Sequence, residues 1–156
     1  MAKIEVKILE KEVPGITFKN IADQNKISII TEYLTDNMIV TVILMHSKPA
    51  LQLEAFDNKY FENLLFNIIF SVDALTNYLL KSGDKNSIHF GVNPVIPGLM
   101  ILEKISEKLK HNFTIFNIKF INPLLLSSKL NIFEITNNKL IGTANEHLIF
   151  KLKIYV

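Results

Sequence analysis

An acidic and a basic side chain lie five residues apart in a part of the sequence that is rich in glycine and proline. Asp84 and His89 can work together in general acid–base chemistry, because one group takes a proton or activates water while the other donates a proton. Shortly afterwards, Pro97 and Gly98 are typical of a helix start, whose unpaired N–H groups can stabilise negative charge on a carbonyl oxygen. The combination predicts proton abstraction next to a carbonyl group, with loss or addition of water.

Each member of the pair also has a common structural explanation. Asp84 follows a serine and a glycine, and an aspartate there is often a simple turn residue after a helix. An isolated histidine is usually a surface residue or a hydrogen-bonded structural residue, and we assign His46, His111 and His147 to that role. Residue types and spacing alone therefore leave the catalytic and the structural interpretation of Asp84 and His89 open.

The composition limits the functions that the chain can have. Of its 156 residues 49% are hydrophobic, so we expect a folded protein with a large core. A net charge of +2 gives no large field for nucleic acid or a lipid surface, and without cysteine there is no disulfide, thiolate nucleophile or cysteine-ligated zinc. No apolar stretch approaches the ~20 residues that span a bilayer, and the first residues do not resemble a signal peptide. We expect a cytoplasmic protein that binds neither nucleic acid nor membrane.

Hydrophobic periodicity predicts the elements that must position the pair. Residues 1–58 are β-rich, with a break at Pro14 and Gly15 and a hairpin turn at residues 35–37. Residues 64–70 fit either a strand or the start of a helix. The strands that the alternation predicts elsewhere cover residues 4–8, 27–34, 38–45, 51–55, 113–121, 130–135 and 148–156.

Two helices are predicted between these groups of strands. The first covers residues 72–81, with Ser71 as its cap, Asp73 at the positive end of its dipole and Gly83 as its left-handed stop. The second begins near Pro97 and continues to about residue 110. A helix followed by antiparallel strands indicates an α+β fold in which a sheet wraps around a helix. No linker is recognisable, so we predict a single domain over residues 1–156.

The loop that carries the pair contains an eight-residue motif. Residues 82–89 read SGDKNSIH, which resembles the SGDxNPIH signature of the MaoC-like (R)-specific enoyl-CoA hydratases. The difference is Ser87, where that family prefers proline; the exchange removes no reacting group. The resemblance implies that Asp84 and His89 are the catalytic pair. It also implies that Asn86 belongs to the site, and we assign it to substrate binding.

A second motif overlaps the first at His89. Residues 89–103 read HFGVNPVIPGLMILE, which is similar to the HFxxxPxxPG motif of the 3-hydroxyacyl-carrier-protein dehydratases. Those enzymes use the matching histidine together with a glutamate that corresponds to Glu103. Residues 91–92 are Gly-Val, where that family commonly has Pro-Gly.

Both families have the hotdog fold, an antiparallel sheet around one central helix, and are usually dimeric. The resemblance covers about residues 70–156 and leaves the β-rich residues 1–69 uncovered. It implies an acyl thioester substrate on coenzyme A or a carrier protein, a homodimer, and chemistry that needs neither a metal ion nor a cofactor.

Helix periodicity helps to choose between the two carboxylates. Glu103 falls on the polar side of the second helix, so solvent contact is its simplest explanation unless a second subunit covers that side. We therefore favour Asp84 as the partner of His89 and keep Glu103 as the alternative. The apolar side is predicted to hold Leu99, Leu102, Ile105, Ser106 and Leu109.

These residues together predict an (R)-3-hydroxyacyl thioester dehydratase, or trans-2-enoyl thioester hydratase, of fatty-acid metabolism. The Gly98 N–H would donate to the thioester carbonyl, while Asp84 and His89 hold the water and move the α-proton. Candidates for the lining of the acyl end are Phe90, Val92, Val95 and Ile96.

Two other classes of function stay open. Ser87 and the short loop favour a hotdog protein that binds an acyl thioester, or assembles with a catalytic homologue, without turnover. An acyl-CoA thioesterase is a further alternative, although it would not require the Asp–Asn–His signature.

Overall fold

The computed structural model describes the backbone of residues 2–8, 18–23, 28–35, 38–45, 63–109 and 115–155, and the side chains of residues 63–109 and 117–155. Two α-helices and nine strands lie in these ranges. The helices are α1 (Val72–Ser82) and α2 (Gly98–Leu109). The strands are β1 (Ala2–Ile8), β2 (Phe18–Asp23), β3 (Ser28–Thr35), β4 (Met38–Met45), β5 (Leu64–Ile68), β6 (Ile115–Phe120), β7 (Leu130–Thr136), β8 (Lys139–Ala144) and β9 (His147–Tyr155).

The strands in the described ranges form one antiparallel sheet. Their order is β2-β3-β4-β1-β6-β9-β8-β7-β5. The five strands from β5 onward occupy one half of the sheet, and both helices lie between β5 and β6 in the chain. On the other side of β6, β1 pairs with it and β4, β3 and β2 continue the sheet.

Short-range capping explains the position of α1. The Ser71 hydroxyl accepts a hydrogen bond from the Ala74 N–H at 3.1 Å, and Asp73 lies in the positively polarised first turn. At the other end Gly83 has φ +68°, and its N–H donates to the Leu79 carbonyl at 3.0 Å. The predicted helix, with its cap and its stop, is confirmed.

Helix α2 begins one residue later than predicted. The Pro97 carbonyl accepts from the Ile101 N–H at 3.1 Å, so Pro97 caps the helix and Gly98 is its first residue. Its buried residues are Met100, Ile101, Leu102 and Ile105. The predicted apolar face was wrong for Leu99, which is 40% exposed, because the buried side is centred on Ile101 and Ile105, on the far side of the helix.

The core lies between α2 and the sheet. Ile101 and Ile105 of α2 belong to the same buried cluster as Ile118 of β6 and Phe150 and Leu152 of β9. The sheet therefore packs around a buried helix, which confirms the predicted α+β hotdog fold.

Other local predictions have mixed outcomes. The hairpin is confirmed, because Thr35 of β3 pairs with Met38 of β4, and residues 64–68 form a strand. Strands β2 and β8 were missed. The break at residues 14–15, the strand at residues 51–55 and the end of the second helix at residue 110 lie outside the described residues. The assignment of residues 1–156 to one domain stays a prediction. Neither described helix is long and apolar enough to cross a membrane.

Candidate active site

Asp84 is fixed by the loop that follows α1. Its own N–H donates to the Ser82 hydroxyl at 3.3 Å, and its Oδ1 atom accepts from the Asn86 N–H at 2.9 Å. Short polar side chains commonly stabilise turns in this way, by bonding to the backbone two residues away. One carboxylate oxygen is therefore engaged by the loop, while Oδ2 stays available.

Asn86 continues the same pattern towards the histidine. Its Oδ1 atom accepts from the Ile88 N–H at 3.3 Å and caps a short 3-10 turn, Ser87–His89. The turn closes when the His89 N–H donates to the Asn86 carbonyl at 3.0 Å. The described bonds of Asn86 thus position His89, and its predicted role in substrate binding stays a prediction.

His89 is buried, with 7% of its surface exposed, and its ring is oriented by the backbone. Its Nδ1 atom lies 2.7 Å from the Val95 carbonyl oxygen. Since a carbonyl oxygen can only accept, Nδ1 carries the hydrogen, and in the neutral ring Nε2 is the unprotonated nitrogen. The Val95 N–H in turn donates to the Ile88 carbonyl at 2.9 Å, so this strand-like contact holds the ring in place.

The structure brings Asp84 and His89 together. Oδ2 of Asp84 lies 3.4 Å from Nε2 of His89, and the aspartate side chain is 34% exposed. With neutral His89, both facing atoms are hydrogen-bond acceptors, so a donor such as water satisfies them best. The pair is arranged to hold a water molecule or to share a proton.

A distant segment supports this loop, and no local sequence signal indicated it. Val95 forms a β-bridge with Leu125. Beside it, the Ile96 N–H donates to the Leu124 carbonyl at 2.8 Å, and the Leu126 N–H donates to the Pro94 carbonyl at 2.9 Å. The segment between β6 and β7 therefore fixes the carbonyl that orients His89.

Glycine at position 98 has a packing reason. A Cβ atom there would lie 2.8 Å from Cε2 of Phe120, closer than real Cβ contacts. The N–H of this residue belongs to the first turn of α2, where helix geometry supplies no partner. Gly98 does not line the cavity described below, so its contact with a thioester carbonyl stays a prediction.

Glu103 is exposed, and within the described side chains no hydrogen bond or ion pair joins it to the imidazole of His89. Its charge nevertheless acts on the site through Tyr78, whose pKa is raised by burial, then by Glu103 and then by Asp84. Tyr78 therefore stays a neutral hydrogen-bond donor up to high pH.

An apolar cavity of about 760 Å³ opens beside the pair. Of the four candidates for the acyl end, Phe90 and Val92 line this cavity, and their contact with an acyl chain stays a prediction. Val95 and Ile96 do not line it, and Ile96, at 3% exposed, belongs to the core. Helix α1 supplies five further lining residues: Val72, Leu75, Thr76, Leu79 and Leu80. The sequence analysis did not predict this role, although the helical spacing of these residues is visible in the sequence. Within residues 63–109 and 117–155, no three His, Asp or Glu side chains converge to hold a metal ion.

Comparisons with known proteins agree on the fold. No protein-family model matches the chain, and no curated protein matches its sequence. Among solved structures, HtdX of Mycobacterium tuberculosis is similar with a TM-score of 0.63 and 11% identity, over 98% of this chain and 74% of that one. A MaoC-like dehydratase from Phytophthora capsici has a TM-score of 0.58 and 17% identity, over 99% and 70%. An acyl-ACP thioesterase from Bacteroides thetaiotaomicron has a TM-score of 0.57 and 7% identity, over 98% and 74%. At these identities the likeness establishes the hotdog fold, and activity has to be argued from the site.

Proposed function

We propose that the protein is an (R)-3-hydroxyacyl thioester dehydratase, or trans-2-enoyl thioester hydratase, acting on coenzyme A or carrier-protein substrates. The observation that carries the proposal is the placement of Nε2 of His89 opposite Oδ2 of Asp84, at the edge of an apolar cavity. The likeness in fold to a MaoC-like dehydratase supports it, as does the SGDKNSIH motif.

The proposed dehydration uses the unprotonated nitrogen of His89 as the base. Nε2 takes the α-proton of the 3-hydroxyacyl thioester, and the Asp84 carboxylate stabilises the imidazolium that forms. The electron pair of the broken C–H bond forms the α,β double bond, and the β-hydroxyl leaves as water with the proton from Nε2. Hydration is the reverse, with a water molecule beside the pair that donates hydrogen bonds to Nε2 of His89 and Oδ2 of Asp84.

Negative charge develops on the thioester oxygen during this proton transfer. A hydrogen-bond donor aimed at that oxygen stabilises the transition state, and the Gly98 N–H at the start of α2 is our candidate. The substrate would then lie between α2 and the loop that carries the pair.

The proposal is tested by measuring the hydration of crotonyl-CoA, which is monitored as a loss of the enoyl absorbance. We expect turnover by the wild-type protein and a loss of about 10²–10⁴-fold in kcat for His89→Ala and Asp84→Asn, the range typical of a general acid–base group. His147→Ala and Asp73→Asn are matched controls, because both side chains are exposed and outside the cavity lining. Wild-type rates in both site variants would reject the assignment.

A thioesterase activity is the second candidate, since the fold is also similar to that of an acyl-ACP thioesterase. Release of free thiol from a saturated acyl-CoA would reveal it, because such a substrate has no double bond to hydrate. A protein that binds the thioester without turnover would instead show a higher melting temperature in the presence of acyl-CoA, with no change in enoyl absorbance and no release of free thiol.

A further inference from the structure

One side of α1 forms a continuous wall of the cavity. The residues that face the cavity follow the helical spacing i, i+3, i+4, i+7, i+8 from Val72 to Leu80, and Gly83 continues the row. At about 1.5 Å of rise per residue, this row is roughly 16 Å long. The cavity is therefore an elongated groove rather than a compact hole.

The ionisable groups of the groove lie at one end. The ionisable side chains among its described lining are Asp84, Lys85 and His89, which lie at or beyond the C-terminal end of α1. The rest of the lining is apolar, apart from the hydroxyl groups of Thr76 and Ser127. A ligand that fits has a reactive polar group at the Asp84 end and a hydrocarbon tail that reaches towards Val72.

The groove combines a buried floor with exposed walls. Leu75 and Leu79 are 4% and 8% exposed and form the floor. The walls are unusually exposed for apolar side chains: Val72 at 63%, Leu80 at 78%, Phe90 at 53% and Val92 at 96%. Exposed apolar patches of this kind often mark binding sites, because a ligand that covers them removes their contact with water.

We propose that this groove, which we call the α1 groove, binds the acyl chain of the thioester with an affinity that rises with chain length up to about twelve carbons, because a row of roughly 16 Å holds that many at about 1.3 Å of extension per carbon. The inference rests on the proposed function, because the reactive end of the chain is placed at Asp84 and His89. A butyryl chain would fill only the end next to the pair. Longer chains would bury one more methylene group per step, each worth up to about fourfold in affinity.

Thr76 is the residue at which the α1 groove can be shortened. It lies about 10 Å from Gly83 along the helix, so a large side chain there blocks the far half and leaves the near half open. Thr76→Trp is therefore the test variant. Asn77→Trp is its matched control, since Asn77 is exposed on the same helix but does not line the groove.

The experiment measures binding of saturated acyl-CoAs by calorimetry, below their micelle concentrations. These compounds cannot be hydrated or dehydrated, so the readout does not depend on turnover. We expect the wild-type protein to bind dodecanoyl-CoA at least about a hundredfold more tightly than butyryl-CoA. Thr76→Trp should weaken the binding of dodecanoyl-CoA at least about tenfold and leave the affinity for butyryl-CoA within about twofold of wild type, whereas Asn77→Trp should change neither affinity.

The outcomes separate this inference from the proposed function. The proposed role of the α1 groove would be overturned, even in a protein that hydrates crotonyl-CoA, by any of three results. These are equal affinity for all chain lengths, equal effects of the two tryptophan variants, and no binding of acyl-CoA at all. If the affinity depends on chain length and Thr76→Trp removes this dependence, the role of the α1 groove is upheld, even in a protein without hydratase activity. In such a protein the result would point to binding of the acyl thioester without turnover.

Discussion

Nδ1 of His89 and the carbonyl oxygen of Val95 are 2.7 Å apart, and this contact decides which ring nitrogen can react. Because the acceptor belongs to the backbone, it has no protonation equilibrium near neutral pH and no side-chain substitution removes it. Nε2 is therefore directed at Asp84 in both the neutral and the protonated ring. The proposed base is oriented by main-chain geometry rather than by a second acidic residue.

Replacement of each candidate carboxylate decides which one works with His89. We expect Asp84→Asn to lower kcat of enoyl hydration by about 10²–10⁴-fold, because the imidazolium would lose the anion that stabilises it. Glu103→Gln should stay within about threefold of wild type, because Glu103 is exposed and, among the described side chains, makes no hydrogen bond or ion pair with the imidazole. Steady-state kinetics with crotonyl-CoA measure both. The reverse pattern would move the catalytic role to Glu103.

Introducing proline at position 87 should stabilise the protein. Asn86 has φ −65° and ψ 121°, a conformation that suits a residue before proline, and Ser87 is the first residue of the 3-10 turn. We expect Ser87→Pro to raise the free energy of unfolding by about 0.4–1 kcal/mol, measured by urea denaturation, without loss of activity.

Ser128→Pro is the control for that substitution. Its N–H donates to the Leu125 carbonyl at 3.2 Å, and Ser127 before it has φ +71°, so proline should destabilise there. If Ser87→Pro also destabilised the protein, the described turn would be wrong.

The packing of Gly98 against Phe120 predicts a coupled pair of substitutions. Gly98→Ala should destabilise the protein by about 1–3 kcal/mol, because its methyl group overlaps the Phe120 ring. In a Phe120→Leu background, the loss of unfolding free energy caused by Gly98→Ala should be smaller than in the wild-type background by at least about 0.5 kcal/mol. A double-mutant cycle of urea denaturation measures this coupling, and purely additive effects would contradict the contact.

Tyr78 should titrate above the value of about 10 that is usual for tyrosine. Its pKa in the folded protein is raised, so the folded state keeps its proton where the unfolded state has lost it. The resulting stability is complete below about pH 10 and is lost as the pH rises past the folded pKa. We expect a smaller loss of stability between pH 9 and 11 in Tyr78→Phe than in the wild-type protein.

The charges that act on Tyr78 can be identified separately. Difference absorbance between the wild-type and Tyr78→Phe proteins follows this one phenol. Glu103→Gln should lower its pKa, and Asp84→Asn should lower it by a smaller amount, because Glu103 is the stronger of the two charges. An unchanged titration in both variants would show that burial alone is responsible.

Features set by neighbouring residues were the ones that the sequence could predict. The cap at Ser71, the stop at Gly83 and the contact of Asp84 with His89 all depend on residues within one short stretch of chain. The bridge between Val95 and Leu125 joins segments that no motif connects, so only the folded sheet reveals it. The glycine in the loop at position 91, which fits neither family motif, is explained by its φ of +99°, a conformation that other residues rarely adopt.

Strand β8 and the wall of the cavity were missed for different reasons. Residues 139–144 include Gly142 and alternate poorly, so the strand has little local signal and depends on its pairing with β7 and β9. The apolar row on α1 was visible as a helical pattern, but a core-facing and a ligand-facing row have the same period. Exposure in the folded protein is what distinguishes them.

The pairing of β1 with β6 has a consequence for the kinetics of folding. Ala2 lies opposite Phe120, so more than a hundred residues of chain separate the two sides of this ladder. Ladders of such high contact order form slowly, whereas the β7–β8–β9 ladders join residues that are close in sequence. Until β1 arrives, the outer edge of β6 has unpaired backbone groups that can pair with another chain. Aggregation competes most strongly with folding between the formation of β6 and the pairing of β1 with it, and this competition should strengthen as the protein concentration rises, because aggregation is intermolecular whereas the pairing of β1 is not.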